Sequence, residues 1–420
     1  MVAVVEWSVA LPDGFAVRVQ KDMLDLVHAY SDSSPETREI DAYQAGYKVA
    51  HEYMTSKVFS RKCETSGYNE FLVVGNADVT IDEYVELTYC ECEETFRTQQ
   101  TLFYAENLLD ARVLNVSLAR CDDDPFRHFG VRYKKMNMAY NGVFAPRDTT
   151  YVECTGSFVN KKGLRGVYCV RESMDFDEVP EMPGVVRFYM KAMFLLTEAR
   201  DGSVELLQVM TANPLGKLPA WMFNKTSMAY SHMSDDYAKY LQQKRLLAYV
   251  ASKRKPRHPI KKAKVCSSCA GAFRGLRARH ECWGCRESMC GKCVVPIPRA
   301  LVGVDGAMKA VSEEFCKRCF LQARSYRTSS SASSFRLHAS DDTTEHSHHS
   351  NQTRSSSGNE SYAKDLADDD DVPMAPPQAA PAPAFDAMDI ESHLSQLQLG
   401  IETQRYLVAQ MRSRLEAQAV

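Results

Sequence analysis

The chain has 420 residues, of which 45% are apolar and 25% charged, a composition typical of a soluble protein with two or three domains. No segment reaches the roughly 18 consecutive apolar residues of a membrane-spanning helix, and the start carries Glu6 without a basic region. The sequence therefore predicts neither a transmembrane helix nor a secretion signal. The net charge of -3 conceals a basic region, because residues 253–324 hold 17 Lys and Arg against 5 Asp and Glu.

Residues 1–250 are predicted to form one domain, because short segments rich in Val, Tyr, Phe and Thr alternate there with turn signals. In segment 149–159, apolar Val152 and Cys154 alternate with Glu153 and Thr155, which predicts one packed face and one solvent-facing face. The predicted strands are 69–76, 110–119, 129–140, 149–159, 165–174, 185–196 and 203–210.

A helix is predicted to close this domain over residues 213–250. Apolar residues recur there at helical spacing, and the positions are Met222, Ala229, Met233, Tyr237 and Tyr240. Strands followed by a long amphipathic helix indicate an α+β fold in which an antiparallel sheet packs against that helix.

Several segments of this domain resemble START-like domains of the kind joined to FYVE fingers. They are TIDEYVELTYC, DDDPFRHFGVRY, APRDTTYVECTG and PEMPGVVRFYMKAMFLL leading into LPAWMFNKT, and the likeness covers residues 65 to 250. The resemblance implies a helix-grip fold with a cavity for a lipid. Trp221, Met222 and Met233 are candidates to line that cavity, although such residues more often form plain core. Arg147 and Asp148 are interpreted as a structural ion pair in a turn, since no catalytic motif accompanies them.

Eight of the 14 cysteines crowd into residues 266–319 as four CxxC pairs. Each pair presents two thiolates, and Zn²⁺ takes four such ligands in a tetrahedron, so the sequence predicts two closed structural zinc sites without hydrolytic chemistry. A segment this small has too little core to fold alone, so metal binding supplies much of its folding free energy. The predicted ligands are Cys266, Cys269, Cys282, Cys285, Cys290, Cys293, Cys316 and Cys319.

The spacing of 12, 4 and 22 residues between the pairs resembles a FYVE-type cross-brace finger, assigned to residues 266–325. The resemblance implies that the first and third pairs share one ion and that the second and fourth share the other. It also places Phe273 in the small core. RING and PHD fingers are alternatives, but both use a His in the second or third ligand group, and no His lies between Cys282 and Cys319.

FYVE fingers recognise phosphatidylinositol 3-phosphate through three short motifs, and this chain departs from all three. Arg279 and His280 match the headgroup pocket, whereas Glu314 occupies the position of a binding arginine. Losing several charge-assisted hydrogen bonds predicts weak headgroup selectivity. The matching loop keeps Arg274, Leu276 and Arg277, so a less selective attraction to acidic membranes is predicted for these five residues, with a solvated charged face as the alternative.

The remaining segments are assigned by composition. Residues 251–265 are a basic linker with two prolines, and 326–384 form a low-complexity tail that is predicted to be disordered. Residues 385–420 are predicted to form an amphipathic coiled-coil helix and a homodimer. The heptad positions are Ile390, Leu394, Leu397, Ile401, Val408, Met411 and Leu415.

Together these features predict a non-enzymatic, cytoplasmic adaptor that binds two structural Zn²⁺ ions and associates peripherally with acidic endosomal membrane lipid or with a protein partner. A ubiquitin ligase built on a RING-like cross-brace is the competing enzymatic hypothesis. A nuclear or nucleic-acid-binding module is the other alternative, ranked lower because the basic linker lacks interleaved aromatic residues.

Overall fold

The computed structural model describes residues 7–64, 66–138, 144–231, 233–253, 263–273, 278–304, 306–324 and 326. The predicted tail and C-terminal coiled coil thus lie outside the described residues, apart from Tyr326, as does most of the basic linker. None of the described helices combines the length and the apolar character needed to cross a membrane.

The described residues from 7 to 253, here called the sheet domain, contain six helices and ten strands. The helices are α1 (Phe15–Ser31), α2 (Pro35–Gln44), α3 (Ile81–Thr88), α4 (Glu93–Tyr104), α5 (Ala220–Ser231) and α6 (Tyr237–Ser252). The strands are β1 (Lys48–Glu52), β2 (Ser56–Lys62), β3 (Asn69–Ala77), β4 (Leu108–Leu118), β5 (His128–Met136), β6 (Arg147–Val159), β7 (Arg165–Ser173), β8 (Val186–Arg187), β9 (Tyr189–Glu198) and β10 (Val204–Asn213).

The described residues from 263 to 326, here called the finger, add two small hairpins and one short helix. They are β11 (Arg279–Glu281), β12 (Ser288–Cys290), β13 (Val294–Val302), β14 (Met308–Cys316) and α7 (Lys317–Gln322). Both hairpins are antiparallel, pairing β11 with β12 and β13 with β14.

One sheet in the order β1-β2-β3-β10-β9-β7-β6-β5-β4 organises the sheet domain, and all these neighbours are antiparallel. Six of the seven predicted strands and the α+β layout are confirmed, whereas the strand predicted over 185–196 is divided into β8 and β9, because Val186 and Arg187 pair with β6 in parallel. The helices α1 and α2 cover one face, where Met23 and Val27 pack with Val74 and Leu195. The helices α3, α4 and α6 cover the other face, and the space between them and the sheet is called the interior below.

The single helix predicted for 213–250 is wrong. It is divided into α5 and α6 by a short 3-10 segment, Met233–Asp236. Side-chain hydrogen bonds fix this break, because Asp235 accepts from the hydroxyls of Thr55 and Ser56, while Asp78 accepts the backbone N–H of Ala238 at the start of α6. These partners are distant in sequence, so the apolar spacing did not reveal them.

The solvent-facing side predicted for segment 149–159 is also wrong for most of β6. Every residue from Arg147 to Gly156 is buried, and Glu153 and Thr155 are only 6% and 5% exposed. The reason is that helices cover both faces of this central strand, so its polar residues lie in the interior.

Arg147 and Asp148 begin β6 and do not form the predicted turn ion pair with each other. Arg147 donates to the carbonyls of Pro214 and Leu215 at 3.1 Å, and the Asp148 carboxylate pairs with Arg187 at 3.1 Å. Both side chains are buried and structural. Trp221, a candidate to line the cavity, is 47% exposed and lies on the surface instead.

The finger packs directly against the sheet domain. Leu246 and Val250 of α6 share a core with Cys282 and Phe315 of the finger. At Gly284 a Cβ atom would stand 2.8 Å from Cγ2 of Val250, so the backbone of the second CxxC turn touches α6.

A second contact runs along α4 and β4, where the β13–β14 hairpin lies. Met308 of β14 packs there with Phe96 of α4 and Leu108 of β4. The sheet domain and the finger therefore share apolar cores on two sides of the finger.

Candidate metal centre and interior site

Two groups of four cysteines form the candidate metal centre. The ligand sulfurs within each group lie within 4.8 Å of one another, and the groups are Cys266, Cys269, Cys290 and Cys293 (site one), and Cys282, Cys285, Cys316 and Cys319 (site two). Three sulfur pairs are 3.8, 3.9 and 3.8 Å apart. A tetrahedral Zn²⁺ with Zn–S bonds of about 2.3 Å places its sulfurs about 3.8 Å apart, so the residues fit this ion. The predicted grouping of ligands is confirmed.

Local backbone geometry shapes the first two CxxC turns. The residue after the second cysteine is left-handed in both, with φ of 56° at Ala270 and 62° at Arg286. Each donates its N–H to the carbonyl of the first cysteine, Cys266 or Cys282, at 2.9 Å. A left-handed conformation costs a non-glycine residue about 1–2 kcal/mol, and it persists where surrounding contacts fix it.

Backbone N–H groups also point at the ligand sulfurs. Cys290 N–H donates to Cys266 Sγ at 3.4 Å, and Cys316 N–H donates to Cys282 Sγ at 3.2 Å. Burial raises the pKa of Cys266, but N–H donors from Cys290, Cys269 and Ser268 lower it to about 6. Thiolates are the form that binds zinc, and with four of them each site is closed, so a bound Zn²⁺ would cross-link the finger.

The predicted membrane contacts are only partly described, because Arg274, Leu276 and Arg277 lie outside the described residues. Arg279 is exposed on β11, with its guanidinium 5.0 Å from the centre of the Phe273 ring. Phe273 packs against the finger core, as the sequence predicts. His280 is half-buried, and its Nδ1 lies 2.9 Å from a carboxylate oxygen of Glu314. A carboxylate therefore occupies one side of His280.

A second candidate site, here called the interior cluster, is a group of charged side chains on the sheet face that α3, α4 and α6 cover. Its members come from three neighbouring strands and are His128, Arg132 and Lys134 of β5, Glu153 of β6 and Arg171 of β7. The Glu153 carboxylate accepts from Arg132 Nε at 3.3 Å and from Arg171 Nε at 2.8 Å. Antiparallel register creates the group, because Glu153 stands opposite Arg171 on the neighbouring strand.

Aromatic side chains surround this cluster. The Arg132 guanidinium lies 4.8 Å from the ring centre of Phe96, and Lys134 Nζ lies 3.1 Å from the Tyr104 hydroxyl. Arg171 stands on a central strand beneath the helices, yet 14% of its side-chain surface is accessible. Arg171 is therefore the more accessible of the two arginines that pair with Glu153, since the Arg132 side chain is only 1% accessible.

The protonation of the interior cluster follows from its contacts. Burial raises the pKa of Glu153, but Arg171, Arg132 and His128 lower it to about 2. Burial and the nearby Arg132 lower the pKa of His128 to about 4. At neutral pH the carboxylate is therefore ionised and the imidazole is neutral.

This cluster was not predicted, because polar residues that alternate along a strand also fit a solvent-facing side. The available signal was that His128, Arg132 and Lys134 share one face of a strand whose other face is apolar, with a second polar face in the next strand. Charged residues on one face of each of two adjacent strands, in a domain that also contains several helices, indicate a polar layer that the helices cover.

No protein-family model matches the chain, and no curated protein does. Among solved structures, the chain is similar to a fragment of the STAR-related lipid transfer protein from Xanthomonas axonopodis, at 20% identity and a TM-score of 0.35, covering 47% of this chain and 96% of that one. It is also similar to human StAR-related lipid transfer protein 5, at 15% identity and a TM-score of 0.37, covering 56% of this chain and 97% of that one. The chain is similar to human STARD10 as well, at 14% identity and a TM-score of 0.38, covering 59% of this chain and 88% of that one.

Proposed function

We propose that the chain is a non-enzymatic adaptor that holds an amphipathic lipid in the interior and attaches through a zinc-stabilised FYVE-type finger to an acidic membrane surface or a protein partner. The observation that carries the lipid proposal is the antiparallel sheet covered by α3, α4 and α6, on whose interior face the Arg171 side chain keeps 14% of its surface accessible. Phe194 and Met210 line the same face of the sheet and are both half-buried, so an acyl chain would find apolar contacts there. Two of the solved structures named above carry lipid transfer in their titles.

Lipid retention by the purified full chain tests this proposal. We expect solvent extraction and mass spectrometry of the purified protein to recover a bound lipid, and Met210→Trp to reduce its amount at least about five-fold by placing a large side chain on the interior face of the sheet. Val209→Trp is the matched control, because Val209 is the neighbouring residue on the opposite face, packed against the α1 side. If neither the purified protein nor a binding assay with added lipids shows an interior ligand, the lipid proposal is wrong.

Attachment to a membrane is supported by the charge of the finger region and by exposed Arg279. Because Glu314 pairs with His280, we propose that charge attracts the finger to acidic lipids and that the finger does not select the phosphatidylinositol 3-phosphate headgroup. Such attraction weakens with salt, since exposed charges are screened over about 8–10 Å at ordinary ionic strength.

Vesicle sedimentation of the full chain checks this part, and the full chain is needed because the finger shares its core with α6. We expect equal binding to vesicles of matched charge with and without phosphatidylinositol 3-phosphate, and loss of binding as salt rises. Glu314→Gln should improve binding to the phosphoinositide vesicles about three- to ten-fold, which is about 1 kcal/mol. Glu313→Gln, which removes a carboxylate paired with Arg299 at 2.8 Å, should not. A wild-type preference for the phosphoinositide at matched charge would contradict this expectation.

A further inference from the structure

The finger carries exposed cations that its own described carboxylates do not pair with. Lys264, Arg279 and Lys292 are exposed and form no ion pair among the described residues. The described carboxylates of the finger are already used, and their pairs are Glu281 with Arg286, Glu287 with Arg318, Glu313 with Arg299 and Glu314 with His280. An anion from elsewhere can therefore contact these three cations without breaking an existing pair.

The three cations lie at the same end of the finger, beside site one. The Phe273 N–H donates to the Lys264 carbonyl at 3.0 Å, and the Phe273 ring centre lies 5.0 Å from the Arg279 guanidinium. Arg279 stands opposite the site-one cysteine Cys290 in the β11–β12 hairpin, and Lys292 follows Cys290 by two residues. Lys264, Arg279 and Lys292 are here called the basic surface.

The distribution of charge along the chain makes the finger region the positive partner for an acidic segment. Residues 1–252 hold 27 Lys and Arg against 35 Asp and Glu, a net charge of -8, and residues 325–420 hold 7 against 14, a net charge of -7. Of the three regions, only 253–324 is net positive. The sequence DLADDDD at 365–371, here called the acidic segment, has five aspartates in seven residues. Its charge is repelled by the sheet domain and attracted by the finger.

The acidic segment is close enough in sequence to reach the basic surface of its own chain. It begins 39 residues after Tyr326, the last described residue of the finger. The composition of this tail predicts a disordered chain, and a disordered chain of that length spans about 35 Å. A compact unit of about 60 residues has a radius of gyration of only about 10 Å. Such a tether holds the segment near the finger at an effective concentration on the order of 1 mM.

We infer that the acidic segment docks on the basic surface of its own finger and competes there with acidic lipid. Exposed ion pairs are individually weak, so this docking is reversible, and a membrane with many acidic headgroups can displace the segment. The finger is then partly occupied in solution and is released at a sufficiently acidic surface. The docking is independent of the proposed function, whereas the competition rests on the proposed attachment to acidic membrane.

Zero-length cross-linking of the full chain tests the docking. A carbodiimide joins a carboxylate to a lysine amine only where the two are in contact, and peptide mass spectrometry identifies the linked pair. We expect the acidic segment to link to Lys264 and Lys292 at least about five-fold more than to Lys62 and Lys225, which are exposed on the sheet domain. Salt at about 0.5 M should abolish this difference by screening. Equal yields at low salt, or no link to either finger lysine, would overturn the inference.

Sedimentation of the full chain with vesicles of phosphatidylcholine and phosphatidylserine, at about 3:1, tests the competition. Removing the charge of the acidic segment should strengthen binding at low salt about three-fold or more, relative to a control that removes the same charge elsewhere after the finger. The test substitutions are Asp365→Asn, Asp368→Asn, Asp369→Asn, Asp370→Asn and Asp371→Asn. The control substitutions are Asp341→Asn, Asp342→Asn, Glu345→Gln, Glu360→Gln and Asp386→Asn.

The two experiments separate this inference from the proposed function. Equal binding by the two variants would show that only net charge matters, and it would overturn the competition even if the cross-links form. Failure of the wild type and of both variants to bind the vesicles would instead overturn the proposed membrane attachment, and the cross-links would still decide whether the acidic segment docks.

Discussion

Removing zinc from the finger is expected to destabilise the whole described structure, not the finger alone. Chelation of the wild-type chain should release two Zn²⁺ ions per chain and lower the melting temperature of the sheet domain together with that of the finger. Structural zinc contributes about 10–16 kcal/mol to the folding of small fingers, so the finger cannot keep its shape without it. Metal content by elemental analysis and melting by circular dichroism measure both effects.

The physical reason is the shared core. Cys282 and Cys319 of site two pack with Leu246 and Val250 of α6, so loss of site two also exposes one side of that helix. Site two is also tied to α6 through Gly284, where a Cβ would stand 2.8 Å from Val250, whereas site one is more accessible, since Cys269 is exposed. Cys282→Ser should therefore lower the stability of the sheet domain more than Cys269→Ser.

Two further variants separate metal binding from docking. Gly284→Ala leaves all eight ligands in place but introduces a Cβ 2.8 Å from a methyl group of Val250, whose branched side chain has little freedom to move. We expect it to retain two Zn²⁺ ions and to melt at a lower temperature. Cys121→Ser, outside both metal sites, should retain the zinc and the stability of the wild type. A sheet domain whose melting is unchanged by chelation would show that the shared core contributes nothing to its stability.

Replacing Glu153 is expected to be the most damaging single change inside the sheet domain. Glu153→Gln removes the carboxylate that pairs with Arg132 and Arg171 and leaves both guanidinium groups buried without a counter-ion. Breaking a buried ion pair from one side costs about 3–5 kcal/mol, and urea unfolding should report a loss of this size. Glu172→Gln, on the neighbouring strand β7, is the control, since its pair with Lys191 is partly exposed and contributes about 0–1 kcal/mol.

The pH dependence of stability provides a second readout for Glu153. Its pKa is lowered from an ordinary 4.5 to about 2 in the folded protein, so the unfolded chain binds a proton first as the pH falls. The stabilisation, about 3 kcal/mol, is complete above pH 4.5 and is lost as the pH falls towards about 2. Glu153→Gln should show a shallower loss of stability in this window than wild type or Glu172→Gln. Equal slopes would mean that the carboxylate is not held ionised by its two arginines.

Local sequence was sufficient for several features of this protein. The CxxC pairs define the eight cysteine ligands because two thiolates three residues apart can reach one ion without help from the rest of the chain. The strands from 69–76 to 203–210 were predictable because β-branched and aromatic residues between turn signals favour extended backbone. The second helix, α2, also carries a local signal that the sequence prediction did not include, with Ser34 capping it and Pro35 in its first turn.

By itself, then, the sequence determined the class of fold, the eight cysteines that could hold metal ions and the extended segments, since each depends on residues near one another in the chain. Only the tertiary structure decided that Glu153 faces a buried layer, that the helix after β10 breaks at Met233–Asp236, and that the finger packs on α6. These features depend on contacts between residues far apart in sequence, such as Asp235 with Thr55. A polar residue in a strand has the same local pattern whether water or a helix covers it, and the difference becomes visible only when the covering layer is in place.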